Sequence, residues 1–245
     1  MLLSTRTKPQ PSTDVRPQQL RKQPSPLEAQ VSYSSTTSPH RIQIASVAIC
    51  LVFWLAAGRA EAAVPDPTDV VRGFYATLQG TMKDGPKLGP SGRYQRLDPI
   101  VRRTFDIALM TRLSVGPSWG ALALDQQQQL AGAFDRYVAA TYAHRFDSYS
   151  GERLEVIGQT ASAGDIIVRT RIVKSNGEPV GINYLMRRNG EDWLVSDVYL
   201  DGTISELAMH RSEFASILRD RGVTGLIAAL NTKSDLLSGI ARNAS

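Results

Sequence analysis

Apolar and polar positions change their rhythm three times along the chain. Residues 1–40 show no apolar period, residues 66–149 repeat at the helical interval, residues 153–200 alternate in twos, and helical spacing then returns. Asp66-Pro67 supplies an N-cap and a proline at the first helical position, and Val70, Val71, Phe74 and Leu78 follow on one face. The stretch from Gly80 to Gly92 holds four glycines and two prolines and reads as a loop. Asp98-Pro99 repeats the start signal for a second helix lined by Val101, Phe105, Ala108, Leu109 and Leu113, with Gly116-Pro117 as its stop. A third helix is expected from Leu124 to Tyr149, with Leu130, Phe134, Tyr137, Val138, Thr141 and Tyr142 as its apolar face. Gly132 inside it costs about 1 kcal/mol relative to alanine, which marks a place where a neighbour could come close.

After Ser150-Gly151 the period becomes two. Leu154 and Val156 mark one strand, and Asp165 to Lys174 marks another, with Ile166, Val168, Thr170 and Ile172 on one face and Arg169 and Arg171 on the other. Ser175-Asn176-Gly177 and Asn189-Gly190 are hairpin signals on either side of a third strand carrying Val180, Ile182, Tyr184 and Met186. The fourth strand covers Asp192 to Leu200. Asp201-Gly202 turns into a last long helix through a capping box, Thr203-x-x-Glu206, and Ile204, Leu207, Ala208, Arg211, Phe214, Ile217 and Leu218 share one side of it. Gly222 is expected to end that helix, followed by a short apolar helix, Leu226 to Leu230. The expected fold class is α+β: a four-stranded antiparallel meander with helices packed on one face.

Composition changes the picture at the N-terminus. Residues 1–40 hold six of the 13 prolines and twelve serines and threonines, a stretch expected to be disordered because it cannot bury enough surface to offset its ordering entropy. Arg41, the apolar run 44–57 and the Ala60-Glu61-Ala62 ending have the three parts of a secretory signal peptide, over residues 41–62. The run is short for a membrane span, which needs about 20 apolar residues, so an uncleaved inner-membrane anchor is the lesser alternative. Signal peptides begin a few residues before their apolar core, so the native start is expected downstream of Met1, at a non-ATG codon such as one encoding Val31. Cys50, the sole cysteine, lies inside the run and is filler there; one cysteine excludes a disulfide framework.

The leader also accounts for the charge. The chain carries a formal +5, but residues 1–62 hold seven of its 28 basic and three of its 23 acidic residues. The exported domain, residues 63–245, keeps 21 basic and 20 acidic residues and is nearly neutral. Nucleic acid is therefore not an expected partner, since phosphate neutralisation needs a concentrated basic surface.

Candidate chemistry is sparse. Gly116-Pro-Ser-Trp-Gly120 spells G-x-S-x-G, but a helix precedes it where a nucleophile elbow needs a strand, so it reads as a turn with Trp119 packed beneath. His144 and His210 have no second ligand at metal spacing, and no cofactor is implied. Asp165 and Asp197 are the strand acids that an isomerase- or dehydratase-like site on a cone-shaped sheet could use. What remains is apolar surface. The sheet face of Ile166, Val168, Ile182, Tyr184 and Met186 must be covered by helices carrying Phe105, Leu109, Phe134 and Phe214. That interface is either a dry core or, with the layers splayed, an apolar cavity.

The run from Trp193 to Glu206, then Arg211-Ser-Glu-Phe214, Leu218 and Gly222 to Leu230, resembles the MlaC/toluene-tolerance family, with Phe105-Asp106, Gly116-Pro-Ser-Trp119, Phe134, Thr141-Tyr142 and Tyr149-Ser-Gly151 as similar landmarks upstream. The resemblance covers residues 66–235. His210 stands where many members have tyrosine, and the nearest branch looks like the hopanoid-associated HpnM. The resemblance implies a periplasmic lipid-binding shuttle, with acyl chains in the cavity and those nine residues lining it. Its implied partners are an inner-membrane MCE-domain/ABC transporter complex and an outer-membrane lipoprotein complex, and its cargo is phospholipid or hopanoid. A small enzyme, or an anchored accessory protein of hopanoid biosynthesis, is the alternative. The physics agrees with a carrier: an acyl chain of about fifteen methylenes costs ~12 kcal/mol to expose at ~0.8 kcal/mol per CH₂.

Overall fold

The computed structural model describes residues 66–240. The expected disordered extension, the signal peptide with Cys50 and the exact start of the exported domain lie outside the described residues.

Helix α1 (Pro67–Lys83) begins as its sequence predicts: the Asp66 carboxylate accepts from the Thr68 amide at 2.8 Å, with proline in the first turn. The expected loop over 80–92 is not a loop. α1 runs through Gly80 to Lys83, and α2 (Gly85–Thr104) starts two residues later. Pro86 lies in the first turn of α2, and Pro90 directly follows a kink at Gly89 (φ 62°), so each proline sits where its missing N–H costs little. Gly85 is required by contact: a Cβ there would lie 1.9 Å from the Asp147 carbonyl oxygen. Buried Arg93 ties α2 to the later helix that carries Ala143, donating to the Ala143 carbonyl at 2.8 Å and, within α2, to the Gly85 carbonyl at 3.1 Å.

Pro99 lies inside α2 rather than starting a helix, and the expected second helix breaks at Phe105. Phe105 is extended and forms a parallel bridge to Val195, with the Asp106 amide donating to the Val195 carbonyl at 2.9 Å. Asp106 then caps α3 (Ile107–Val115). Gly116–Ala121 is a 3₁₀ turn, and α4 (Leu124–Arg145) follows. α4 ends four residues before Tyr149, because Phe146 leaves helical geometry and carries the chain back past Gly85. Gly132 has no close neighbour; its Cβ position faces open space.

The sheet is an antiparallel meander in the order β1-β2-β3-β4-β5: β1 (Arg153–Ser162), β2 (Asp165–Val173), β3 (Pro179–Asn189), β4 (Asp192–Leu200) and a two-residue β5 (Ile204–Ser205). Four strands match the expectation, and the fifth corrects the capping box. Ile204 and Ser205 pair with Leu200 and Tyr199, so the cap of α5 (Glu206–Ser238) is Ser205, not Thr203. Its hydroxyl accepts from the Ala208 amide at 3.0 Å. Gly222 has the positive φ expected of a C′ residue (63°), yet the helix resumes after this kink and runs to Ser238. Helix α1 meets β1, β2 and β4, and α2, α3 and α5 meet β4, while α4 packs chiefly on α2, α3 and α5.

Candidate functional site

Cross-strand pairing brings the inner positions of the sheet into rows. Ile166 faces Met186, Val168 faces Tyr184 and Thr170 faces Ile182 across β2 and β3, while Tyr184 faces Val198 and Met186 faces Val195 across β3 and β4. A bulge at Ser196 lets Val195 and Val198, three residues apart, contribute to the same face. Against these rows the helices set Phe74, Phe105, Phe134, Tyr142 and Phe214. Phe74 stands edge-on to Phe105 at 5.3 Å, to Tyr142 at 5.1 Å and to Tyr184 at 6.4 Å, and Phe134 meets Phe214 at 5.9 Å.

Six of the nine residues expected to line a lipid pocket therefore meet in one buried seam: Phe105, Phe134, Val168, Tyr184, Met186 and Phe214 are at most 2% exposed. Ile166 and Ile182 are half-buried and pack on its edge. Leu109 is not brought together with them. It borders a separate surface groove with Trp119, Arg112, Arg187 and Arg188, because the break at Phe105 turns α3 away from the line of α2.

One string of hydroxyls crosses this seam. Thr170 donates to the Ile182 carbonyl, the Tyr75 and Thr170 hydroxyls are 2.6 Å apart, and the buried Tyr184 hydroxyl interacts with those of Tyr75 and Tyr142. Burial pushes the Tyr142 and Tyr184 phenols well above their ordinary pKa, so both are neutral and can donate. The string satisfies polar groups that would otherwise be costly in an apolar layer. Tyr75 was missed in the sequence although it sits four residues after Val71, on the same helical stripe.

At the α4–α5 end the seam reaches a small enclosed space of about 30 Å³, lined by Tyr137, Val138, Thr141, Tyr142, Arg145, Glu206 and His210. It is lined from behind by rings of the seam itself: Tyr142 touches Phe74 and Phe105, and His210 stacks on Phe214 at 5.5 Å and stands edge-on to Phe134 at 5.6 Å. Its outer edge is ionic. Arg145 donates to Glu206 at 2.8 Å, joining α4 to α5, and Lys233 pairs with Glu213 at 3.2 Å while lying over the Tyr137 ring. Burial holds the His210 imidazole below its ordinary pKa and outweighs the nearby Glu206 and Glu213 carboxylates. Sequence reasoning placed Arg145 and Glu206 in no site; a lone Arg on a helix and a lone Glu in its first turn carry no distinguishing pattern.

The other candidates fall into structural roles. Gly116–Gly120 lies in the 3₁₀ turn, with Trp119 half-buried against the core, as the turn reading expects. Asp165 is engaged by Arg187 at 2.6 Å. Asp197 is buried and accepts from the Val198 amide at 2.7 Å, the Ser205 hydroxyl at 2.6 Å and the Leu207 amide at 3.2 Å, which anchors the start of α5. Both acids are thus held in contacts that support the fold. His144 is exposed, and among the described residues no three of His, Cys, Asp and Glu gather as a metal site.

A meander sheet is closed by helices over a single apolar seam, and its strand acids are engaged in structural bonds, which defines an α+β domain with a buried apolar interior. A family model described as MlaC protein matches residues 74–232, and the chain belongs to the MlaC family. A solved structure of a phospholipid-binding protein from Ralstonia solanacearum, in complex with a phospholipid, shares the fold with a TM-score of 0.62. The two sequences are 24% identical, and the match covers 71% of this chain and 99% of that one. The hopanoid-associated branch is not resolved by these matches.

Proposed function

We propose that this chain is a periplasmic lipid carrier, exported by the signal segment at residues 41–62, that holds acyl chains between the inner face of its sheet and its helices. The observation that carries this reading is the continuous seam of Phe105, Phe134, Val168, Tyr184, Met186 and Phe214, edged by Ile166 and Ile182. The Ralstonia relative, solved with a phospholipid on the same fold, supports it. The space at the α4–α5 end, about 30 Å³, has room for about one water molecule, so a lipid tail enters the seam there only as the layers part. Aromatic and aliphatic faces separated in this way are covered again by the acyl chain, so the apolar surface exposed on opening is buried by the cargo. Among the described residues no helix is long and apolar enough to cross a membrane. The partners expected at the two ends of the route are an inner-membrane MCE-domain ABC transporter and an outer-membrane lipoprotein complex.

Native mass spectrometry of the purified protein tests the reading. A mass increment that fragments to a lipid is the expected result. A protein that stays lipid-free after incubation with phospholipid vesicles would overturn it. Ile182→Asp, at a half-buried edge position, should abolish retention while leaving the fold intact, because it places a charge on the acyl path without filling the sealed centre.

A further inference from the structure

We infer that Arg145 is the docking group for the phosphate of the carried lipid, and that Glu206 occupies it when no lipid is bound. This rests on the carrier reading above and narrows the cargo to lipids with an anionic phosphate rather than neutral sterol-like or polyol lipids. Three observations converge. The space beside Tyr142 and His210 has the rings of Phe74, Phe105, Phe134 and Phe214 packed directly behind those two side chains, so a head group held at its outer edge stands next to the seam that would take its chains. Arg145 is the cation among its lining residues, and its guanidinium fork is suited to bidentate phosphate contact. The partner that holds it, Glu206, is on the facing helix, 2.8 Å away, with Arg145 itself about half exposed. An ion pair with one partner in water is weak and easily exchanged.

The geometry makes Glu206 a competitor for Arg145. A phosphate arriving at the edge can take the guanidinium from the carboxylate, and one of the polar links between α4 and α5 is released in the same event, while the Arg136–Asn231 hydrogen bond stays. Head-group binding thereby loosens the edge of the α4–α5 contact at the same step. Lys233 sits farther out over Tyr137 with its own carboxylate, Glu213, and serves as the comparison cation.

The test is uptake of a fluorescent phosphatidylglycerol from phosphatidylcholine vesicles, beside a fluorescent diacylglycerol with the same chains. Arg145→Gln should weaken phosphatidylglycerol binding about tenfold, the scale of one charge-assisted hydrogen-bonded contact, and leave diacylglycerol unchanged. Glu206→Gln should tighten phosphatidylglycerol by about two- to threefold, since it removes the competitor. Lys233→Gln should change both lipids little. Equal losses for both lipids in Arg145→Gln, or a loss for phosphatidylglycerol in Glu206→Gln, would overturn the assignment. If Arg145→Gln fails to fold, the sign of the Glu206→Gln effect decides alone. A wild-type protein that takes up neither lipid sinks the carrier reading itself, whereas one that takes up both lipids equally sinks only the phosphate site.

Discussion

The two faces of strands β2 and β3 share one backbone and have opposite chemistry. On the inner face Val168, Thr170, Tyr184 and Met186 are sealed under the helices, within 2% of full burial. On the outer face Arg169 and Arg171 are exposed, and Arg171 meets Glu155 at 2.7 Å in water. The difference teaches where the free energy and the function both lie. Contacts on the inner face are desolvated and mutually packed, so each change there is felt across the seam. Contacts on the outer face exchange protein partners for water at almost no net cost.

The comparison breaks first at its helical side. Phe134→Ala, at a fully buried position touching Tyr137, His210 and Phe214, should cost about 3–5 kcal/mol in a urea unfolding experiment, the range for phenylalanine truncation in a core. A loss near zero would mean that the seam is loosely packed and already open. The next effect is Tyr184→Phe. It keeps the ring but removes the hydroxyl that interacts with Tyr75 and Tyr142; Tyr75 keeps the Thr170 hydroxyl, so the loss falls on the buried Tyr142 phenol, at about 1–3 kcal/mol. Unchanged stability would show that the hydroxyl string is not a unit.

The same contrast explains what the sequence revealed. The sheet was legible because its pattern has a period of two and its turns carry Asn-Gly, so strand identities and the inner rows followed directly from Ile166, Val168, Ile182, Tyr184 and Met186. The helical layer was harder. Gly85, Gly89, Pro86 and Pro90 read as a loop by local chemistry, while tertiary contact with the Asp147 carbonyl and the tolerance of helix first turns for proline made them helix. Phe105 and Leu109 read as one stripe because helical period alone cannot show that Phe105 leaves the helix to bridge Val195. The rim brings Arg145 to Glu206, 61 residues later, and to His210 one helical turn beyond it, each ordinary in its own neighbourhood.

A smaller effect probes the rim of the seam by pH. His210 is held below its ordinary pKa by burial among Phe134, Tyr137 and Phe214; Glu206 and Glu213 oppose the shift, and Lys233 and Arg145 add to it. The folded chain therefore binds fewer protons at this site than the unfolded chain on the acid side of the ordinary value, 6.5. The stability tied to a neutral His210 is fully present above about pH 6.5 and is lost as pH falls from there towards the folded pKa. Urea midpoints measured at about pH 7 and about pH 5 should fall towards the acid side, and His210→Gln should flatten that dependence. An identical slope in the variant would place the acid sensitivity in other groups.

The smallest effect belongs to the outer face, and it is the one that sharpens the comparison most. Glu155 is held by two arginines, Arg153 at 3.0 Å and Arg171 at 2.7 Å, which together keep its carboxyl below its ordinary pKa. Arg171→Ala removes one of them, but Arg153 stays, water replaces the lost donor, and no buried group is left unpaired. The melting temperature should therefore move by no more than the error of the measurement, and lipid uptake should be unchanged. A loss as large as that of Tyr184→Phe would mean that the outer face is covered in the functioning protein by a surface that the guanidinium helps to seat. The two faces would then differ in partner rather than in burial.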